Sequence, residues 1–114
     1  QTCHFIIIAT DLNKKSYKLI NFKNLKLIKK EPIIINIARG LVIDQEALVY
    51  ALKKKIISKI ALDVFNEEPI KKNNKLLKFS GNFYSAHNAY NTKESIDRTN
   101  KKAVENLLKG FGLK

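Results

Sequence analysis

Ile33-Ile34-Ile35-Asn36-Ile37-Ala38-Arg39-Gly40 is the stretch on which the fold turns. Three consecutive β-branched residues with no polar alternation describe a strand buried on both faces rather than one facing water. Pro32 stops any helix before it, because proline lacks a backbone N–H and its ring collides with the preceding turn. Past the isoleucines the chain becomes polar and delivers an arginine followed by glycine. The same plan recurs along the chain. Phe5 to Ala9 is an earlier apolar strand. Ile60-Ala61-Leu62 is a third, running into Asp63-Val64-Phe65-Asn66-Glu67-Glu68-Pro69. Phe83-Tyr84 is a fourth, running into Ser85-Ala86-His87-Asn88-Ala89.

Helical patterns fill the intervals. Lys14 to Lys29 carries apolar residues at Tyr17, Leu19, Ile20, Phe22, Leu25, Leu27 and Ile28, a spacing that predicts one or two short helices, the second capped by Asn21. Asp44 is placed to cap a helix through Ala47, Leu48, Ala51 and Leu52. Thr92 is placed to cap a last helix through Ile96, Ala103, Val104, Leu107 and Leu108, closed by Gly110. Lys71-Lys72-Asn73-Asn74-Lys75 reads as an exposed loop. Strands alternating with helices predict an α/β fold with a parallel sheet covered on both faces. Ligands of such sheets bind beyond the carboxyl ends of the strands, where Arg39, Asp63 and His87 all lie.

Length and composition narrow the function. At 114 residues there is room for one domain or part of one. No apolar run approaches the roughly 18–20 residues that cross a bilayer, and no basic segment followed by a long apolar one opens the chain as a signal peptide would. The lone Cys3 cannot form an internal disulfide, which fits a reducing cytosol. The absence of an initiator methionine suggests a chain that begins mid-protein. The net charge of +12 invites a nucleic-acid reading. Against it, the cations are almost all lysines spread beside Asn and Ile, a bias an AT-rich genome also produces, and the aromatic residues are not interleaved with them as a stacking platform requires. A solvated basic surface is the better account.

Only Arg39 and Arg98 are arginine. Where lysine is the default cation, an arginine suggests a need for a planar, two-pronged donor able to grip a carboxylate and carbonyl together; the bland alternative is a surface arginine in a turn. Gly40 beside it allows tight backbone geometry or close approach to a ligand. Asp63 could accept a hydrogen bond from a cofactor amide or simply cap a turn. Of Glu67 and Glu68, either is a loop charge unless one stands by a histidine, where it would stabilise the imidazolium and suit proton donation near neutral pH. His87 sits between a strand and a small-residue turn, whereas His4 has no companion motif and reads as structural. Cys3, His4 and His87 are not at zinc-ligand spacing, and neither Ser85 nor Cys3 lies in a nucleophile elbow.

Together these segments resemble the D-isomer-specific 2-hydroxyacid dehydrogenases, specifically the later part of their NAD-binding domain. Ile35 through Asp44, continuing to Ala47-Leu48, resembles the family's arginine motif. Leu62-Asp63-Val64-Phe65 through Glu68-Pro69 resembles the aspartate and glutamate motif. His87-Asn88-Ala89-Tyr90-Asn91-Thr92 resembles the histidine motif, with a flavour of the lactate dehydrogenase branch, and Leu12 through Asn21 aligns with the strand–loop–helix ahead of the arginine. The resemblance implies a Rossmann-type sheet, incomplete here, spanning residues 1–114 as a partial NAD-binding domain with no second domain. It also implies that Arg39, Glu68 and His87 are catalytic: Arg39 binds the substrate carboxylate and carbonyl, His87 protonates the carbonyl oxygen as hydride arrives, and Glu68, directly before the proline, partners His87. Asp63 and Ala38 would contact NAD. A small 2-hydroxy or 2-oxo acid would be the substrate, and the full-length protein a homodimer.

The chain departs from the family pattern at Asp11 and Ala86, where prolines are usual, and at Lys55 and Lys59, where glycines are usual. If Lys55 needs a positive φ, its Cβ is unfavourable. No G-x-G-x-x-G occurs among the isolated Gly40, Gly81, Gly110 and Gly112, so the pyrophosphate turn would lie upstream. Two expectations follow: a dehydrogenase fragment inactive by itself, or a non-catalytic decayed domain of the same fold kept as a binding module.

Overall fold

The computed structural model describes residues 3–113. Four parallel strands form one sheet in sequential order β1-β2-β3-β4: Phe5–Ile8, Glu31–Asn36, Ile57–Leu62 and Phe83–Tyr84. Register follows the apolar runs, with Ile7 beside Ile35, Ile35 beside Ala61 and Ala61 beside Phe83. Pro32 does not precede β2 but lies within it. The ladder to β3 matches Glu31 with Ile57 and Ile33 with Lys59 and leaves Pro32 out, so the missing N–H breaks no rung.

Helices cover one face. α2 (Gln45–Lys53) buries Ala47, Leu48, Val49 and Ala51 against Ile8, Ile34, Ile60 and Leu62. Asp44 caps it, accepting from the Glu46 N–H at 3.1 Å. α1 is a single turn, Phe22–Leu25, packed on α2 with the Phe22 and Tyr50 rings 5.5 Å apart. It is shorter than its apolar pattern predicts, because residues 13–18 spend their polar groups on turns: the Asn13 side chain and carbonyl take the N–H groups of Lys15, Ser16 and Tyr17. Asn21 caps α1 through the N–H groups of Lys23 and Asn24.

α2 ends with Lys55 at φ +54°, the Lys55 N–H bonded to Leu52 O and the Ile56 N–H to Ala51 O. This is a Schellman closure, which favours glycine at the left-handed position, and lysine occupies it. Lys59, the other position where the family pattern has glycine, lies inside β3. α3 runs Lys93–Gly110, capped by Thr92, and is closed by Gly112 at φ +69° instead of Gly110.

The second face of the sheet differs from expectation. Phe5, Ile7 and Phe83 on it are 57, 61 and 66% exposed, and α3, which carries an apolar stripe at Ile96, Val104 and Leu107, buries no residue. The runs are as apolar as a two-sided burial demands, yet the described residues supply the cover for one side alone.

Candidate active site

All three polar loops emerge at the carboxyl edge of the sheet, each braced by a different device. β2 ends at Asn36, whose buried side chain accepts from the Ala38 N–H and donates to Arg39 O, both at 3.0 Å. A neutral amide thereby fixes the turn that presents Arg39. The Arg39 backbone is extended, and its exposed guanidinium donates through Nη1 to Ala38 O at 2.7 Å. Gly40 then starts a short 3-10 turn, Gly40–Val42, leading to α2.

Gly40 serves neither of the uses its sequence suggests. Its φ is not in the left-handed region, and what it meets is protein: a Cβ there would stand 2.0 Å from both the carbonyl carbon and oxygen of Phe65 and 2.5 Å from Asn66 N. The arginine loop is thus seated directly on the loop that follows β3. That second loop folds back so that the Phe65 N–H donates to Glu68 Oε1 at 2.9 Å. Glu68 Oε2 lies 2.8 Å from His87 Nδ1. Glu67 instead pairs with Lys71, so the carboxylate directly before Pro69 is the one that meets the histidine.

β4 leads to His87, whose φ of +54° is unusual for a residue with a side chain. Asp63, 5% exposed, lies beneath this turn: its Oδ1 accepts from Ser85 Oγ at 2.6 Å and from the Asn88 N–H at 2.9 Å, and its Oδ2 from the Ala89 N–H at 2.9 Å. His4 plays no part, being exposed at the opposite edge, where its backbone oxygen receives the Ile33 N–H.

The electrostatics follow from these contacts. Burial pushes the Asp63 carboxyl up, but hydrogen bonds from Ser85, Ala89 and Asn88, with the nearby His87 charge, outweigh it and leave Asp63 below its usual range. Glu68 is also held low, first by the Phe65 N–H, then by the His87 hydrogen bond, against some desolvation and with help from the charges of His87 and Arg39. Both carboxylates are therefore ionised near neutral pH. With Glu68 accepting at Nδ1, the neutral ring carries its proton there and leaves Nε2 as the other nitrogen. Tyr84 shifts upward through burial and donates to Leu76 O at 2.7 Å, a structural anchor under Phe65.

Hollows adjoin the site. One of about 240 Å³ is walled by Phe65, Glu68, Pro69, Ile70 and His87. A broader groove of about 570 Å³ runs past Ala9, Thr10, Asp11, Ala38 and Arg39 beyond β1 and β2. A third, of about 320 Å³, lies between Ile37, Asp63, Phe83, Ser85 and Asn88. A carboxylate–imidazole pair and a guanidinium beside an open groove at the carboxyl edge of a parallel sheet is an arrangement suited to proton transfer on an anionic substrate.

Residues 1–89 match the NAD binding domain of the D-isomer specific 2-hydroxyacid dehydrogenases. The chain belongs to that family. A glyoxylate reductase of Thermofilum pendens is 43% identical over 103 residues, which cover 90% of this chain and 30% of that protein. A glyoxylate reductase of Pyrococcus horikoshii is 54% identical over 65 residues, 57% of this chain and 20% of that one. Among solved structures, a glyoxylate reductase from Paecilomyes thermophila superposes with a TM-score of 0.82 at 28% identity, over 94% of this chain and 32% of its own. D-lactate dehydrogenase with NAD+ from Lactobacillus jensenii gives 0.81 at 25%, over 97% and 38%. The chain thus spans about a third of the length of these dehydrogenases. Its Rossmann-type sheet and flanking helices are the family's NAD-binding architecture, and no described helix is long and apolar enough to cross a membrane.

Toward NAD, the residues present offer a hydrogen-bond acceptor and a groove rather than a phosphate cradle. Asp63 Oδ2 receives one hydrogen bond, which leaves an acceptor direction open, and Ala38 lines the broad groove. No glycine-rich turn exists in the sequence to cradle phosphates. Sequence reasoning missed Asn36 and Ser85. Each is a small polar residue at a strand end, and its one legible signal is a side-chain hydrogen-bonding group placed where a loop backbone must be held.

Proposed function

We propose that this chain carries the substrate-anchoring and proton-transfer residues of an NAD-dependent reductase of small 2-oxo acids, Arg39, Glu68 and His87 forming its catalytic set. The observation that supports the reading most directly is the 2.8 Å contact of His87 Nδ1 with Glu68 Oε2, which leaves Nε2 for the reacting oxygen. When bound, the nicotinamide supplies the hydride. Arg39 holds the substrate carboxylate and carbonyl through two parallel N–H groups, after its guanidinium leaves the Ala38 carbonyl. As negative charge builds on the carbonyl oxygen, the cationic imidazole transfers its Nε2 proton there. The Glu68 carboxylate keeps the ring oriented and offsets its charge. In the reverse direction the neutral ring takes the hydroxyl proton at the same atom.

Asp63 and Ala38 stand on the cofactor side in this reading, and the whole protein acts as a homodimer. Glyoxylate is the first substrate to assay, since the curated relatives named above are glyoxylate reductases. The 114 residues lack the pyrophosphate turn, so this chain by itself does not turn over. The deciding experiment is His87→Gln in the whole enzyme, followed by NADH oxidation with glyoxylate. Removing a positioned acid–base group lowers kcat by about 10²–10⁴-fold, with NADH affinity retained. Near-normal turnover would sink the role given to His87.

The second reading, a non-catalytic domain of the same fold, draws on Lys55, which holds a left-handed position that costs a lysine stability. It requires that the whole protein fail to quench NADH fluorescence.

A further inference from the structure

We propose that Ser85 and Asp63 are positioning residues for His87: the Ser85 hydroxyl locks the Asp63 carboxylate, and that carboxylate holds the turn that aims the imidazole at Glu68. Three consecutive backbone N–H groups converge on the one residue Asp63. His87 N–H donates to its backbone oxygen at 2.8 Å, Asn88 N–H to Oδ1 at 2.9 Å and Ala89 N–H to Oδ2 at 2.9 Å. Between the first and the last of these the chain passes through φ +54° at His87. A side-chain-bearing residue leaves that region readily unless its surroundings over-determine it.

The carboxylate can satisfy both Asn88 and Ala89 in one rotation about its Cβ–Cγ bond. Ser85 Oγ, 2.6 Å from Oδ1, selects that rotation. Its own N–H is tied to Leu62 O at 3.0 Å, so the hydroxyl is fixed to the strand next to Asp63 and does not travel with the turn. Asp63 thus commits its Oδ1 wholly to the protein and only one direction of Oδ2 remains for a ligand. The ionised groups around His87 are Glu68 at Nδ1, Asp63 beneath the turn and Arg39 beyond Glu68. Of these, Asp63 alone accepts from the backbone of the His87 turn.

The inference rests on the proposed role of His87 for its effect on turnover, and its geometric part is tested without turnover. Amide hydrogen exchange of the native protein is read on a peptide covering residues 83–92, with one covering 31–38 as reference. Losing a hydrogen bond to a charged acceptor speeds exchange of the first peptide at least about tenfold in Ser85→Ala, leaves the reference unchanged, and Ser85→Thr restores the native rate. Asp63→Asn, which turns one acceptor into a donor facing the turn, gives a larger change. Native exchange in Ser85→Ala overturns the proposal, as does equal acceleration of both peptides, which would make Ser85 a contributor to general stability. In the whole enzyme Ser85→Ala lowers kcat about tenfold with KM within about twofold. Loosened exchange with unaltered kcat would remove the link to His87. Absence of turnover in the whole wild-type enzyme would refute the dehydrogenase reading and leave the exchange result standing.

Discussion

Replacing Gly40 by alanine adds one carbon at a place with no room for it. The new Cβ would stand 2.0 Å from the Phe65 carbonyl carbon and oxygen and 2.5 Å from Asn66 N, whereas ordinary contact begins near 3.5 Å. The obstruction is backbone on both sides, so no rotamer change relieves it. One loop must retreat by about 1.5 Å, comparable with the largest overpacking displacements, for which about 1–3 kcal/mol or more is usual. The retreat has a second cost, because the Phe65 N–H leaves Glu68 Oε1 and loosens the carboxylate that orients His87. A loss of about 3 kcal/mol lowers Tm by more than about 10 °C for a domain of this size. Thermal unfolding followed by circular dichroism measures it. Gly110→Ala is the control: its Cβ meets nothing within 4 Å, and on the last residue of α3 the change gains a few tenths of a kcal/mol or nothing. If Gly40→Ala melts with the wild type, the close seating of the two loops is wrong, and with it the coupling of Arg39 to Glu68.

Other outcomes follow from the same geometry. Lys55→Gly relieves a left-handed lysine at the α2 closure and gains about 1 kcal/mol, raising Tm by about 4–8 °C; an unchanged Tm would show the closure unstrained. Asp63 and Glu68 both titrate below their usual range in the folded chain, so through the acid range the unfolded state binds more protons. Their stabilisation is complete above about pH 5 and is lost as pH falls through the lowered folded values. Tm against pH therefore drops on acidification, and Asp63→Asn flattens part of that drop; identical slopes would remove Asp63 from it. Arg39→Lys keeps the charge and loses the fork, so kcat/KM of the whole enzyme for a 2-oxo acid falls about 10–100-fold. Steady-state kinetics with an unchanged KM and kcat would release Arg39 from the substrate.

Local chemistry was the legible part of this fold. Asn21, Asp44 and Thr92 cap as read, because an N-cap is decided by a side chain and N–H groups two or three residues away. The four strands follow from their apolar runs, though β3 begins at Ile57, three residues before the unbroken run Ile60-Ala61-Leu62. Glu68 was separable from Glu67 only through the family motif, and the pairing with His87 then came from a contact 19 residues away in sequence. What stayed hidden was long-range. Ser85 and Asp63 are 22 residues apart, and Gly40 meets Phe65 across two strands. No periodicity records either. The open side of the sheet was hidden for the opposite reason: a strand carries the composition its burial requires, whichever segment provides that burial.

The row Ile7, Ile35, Ala61 and Phe83, exposed at its two ends and half-buried between them, has a consequence for how copies of this chain behave toward one another. A sheet face of this kind attracts its like over a few ångströms, while a net charge of +12 repels over the screening length. That length is about 30 Å at 0.01 M salt and about 8 Å at 0.15 M. The lysines then act as a colloidal brake that dilute buffer sets and salt releases.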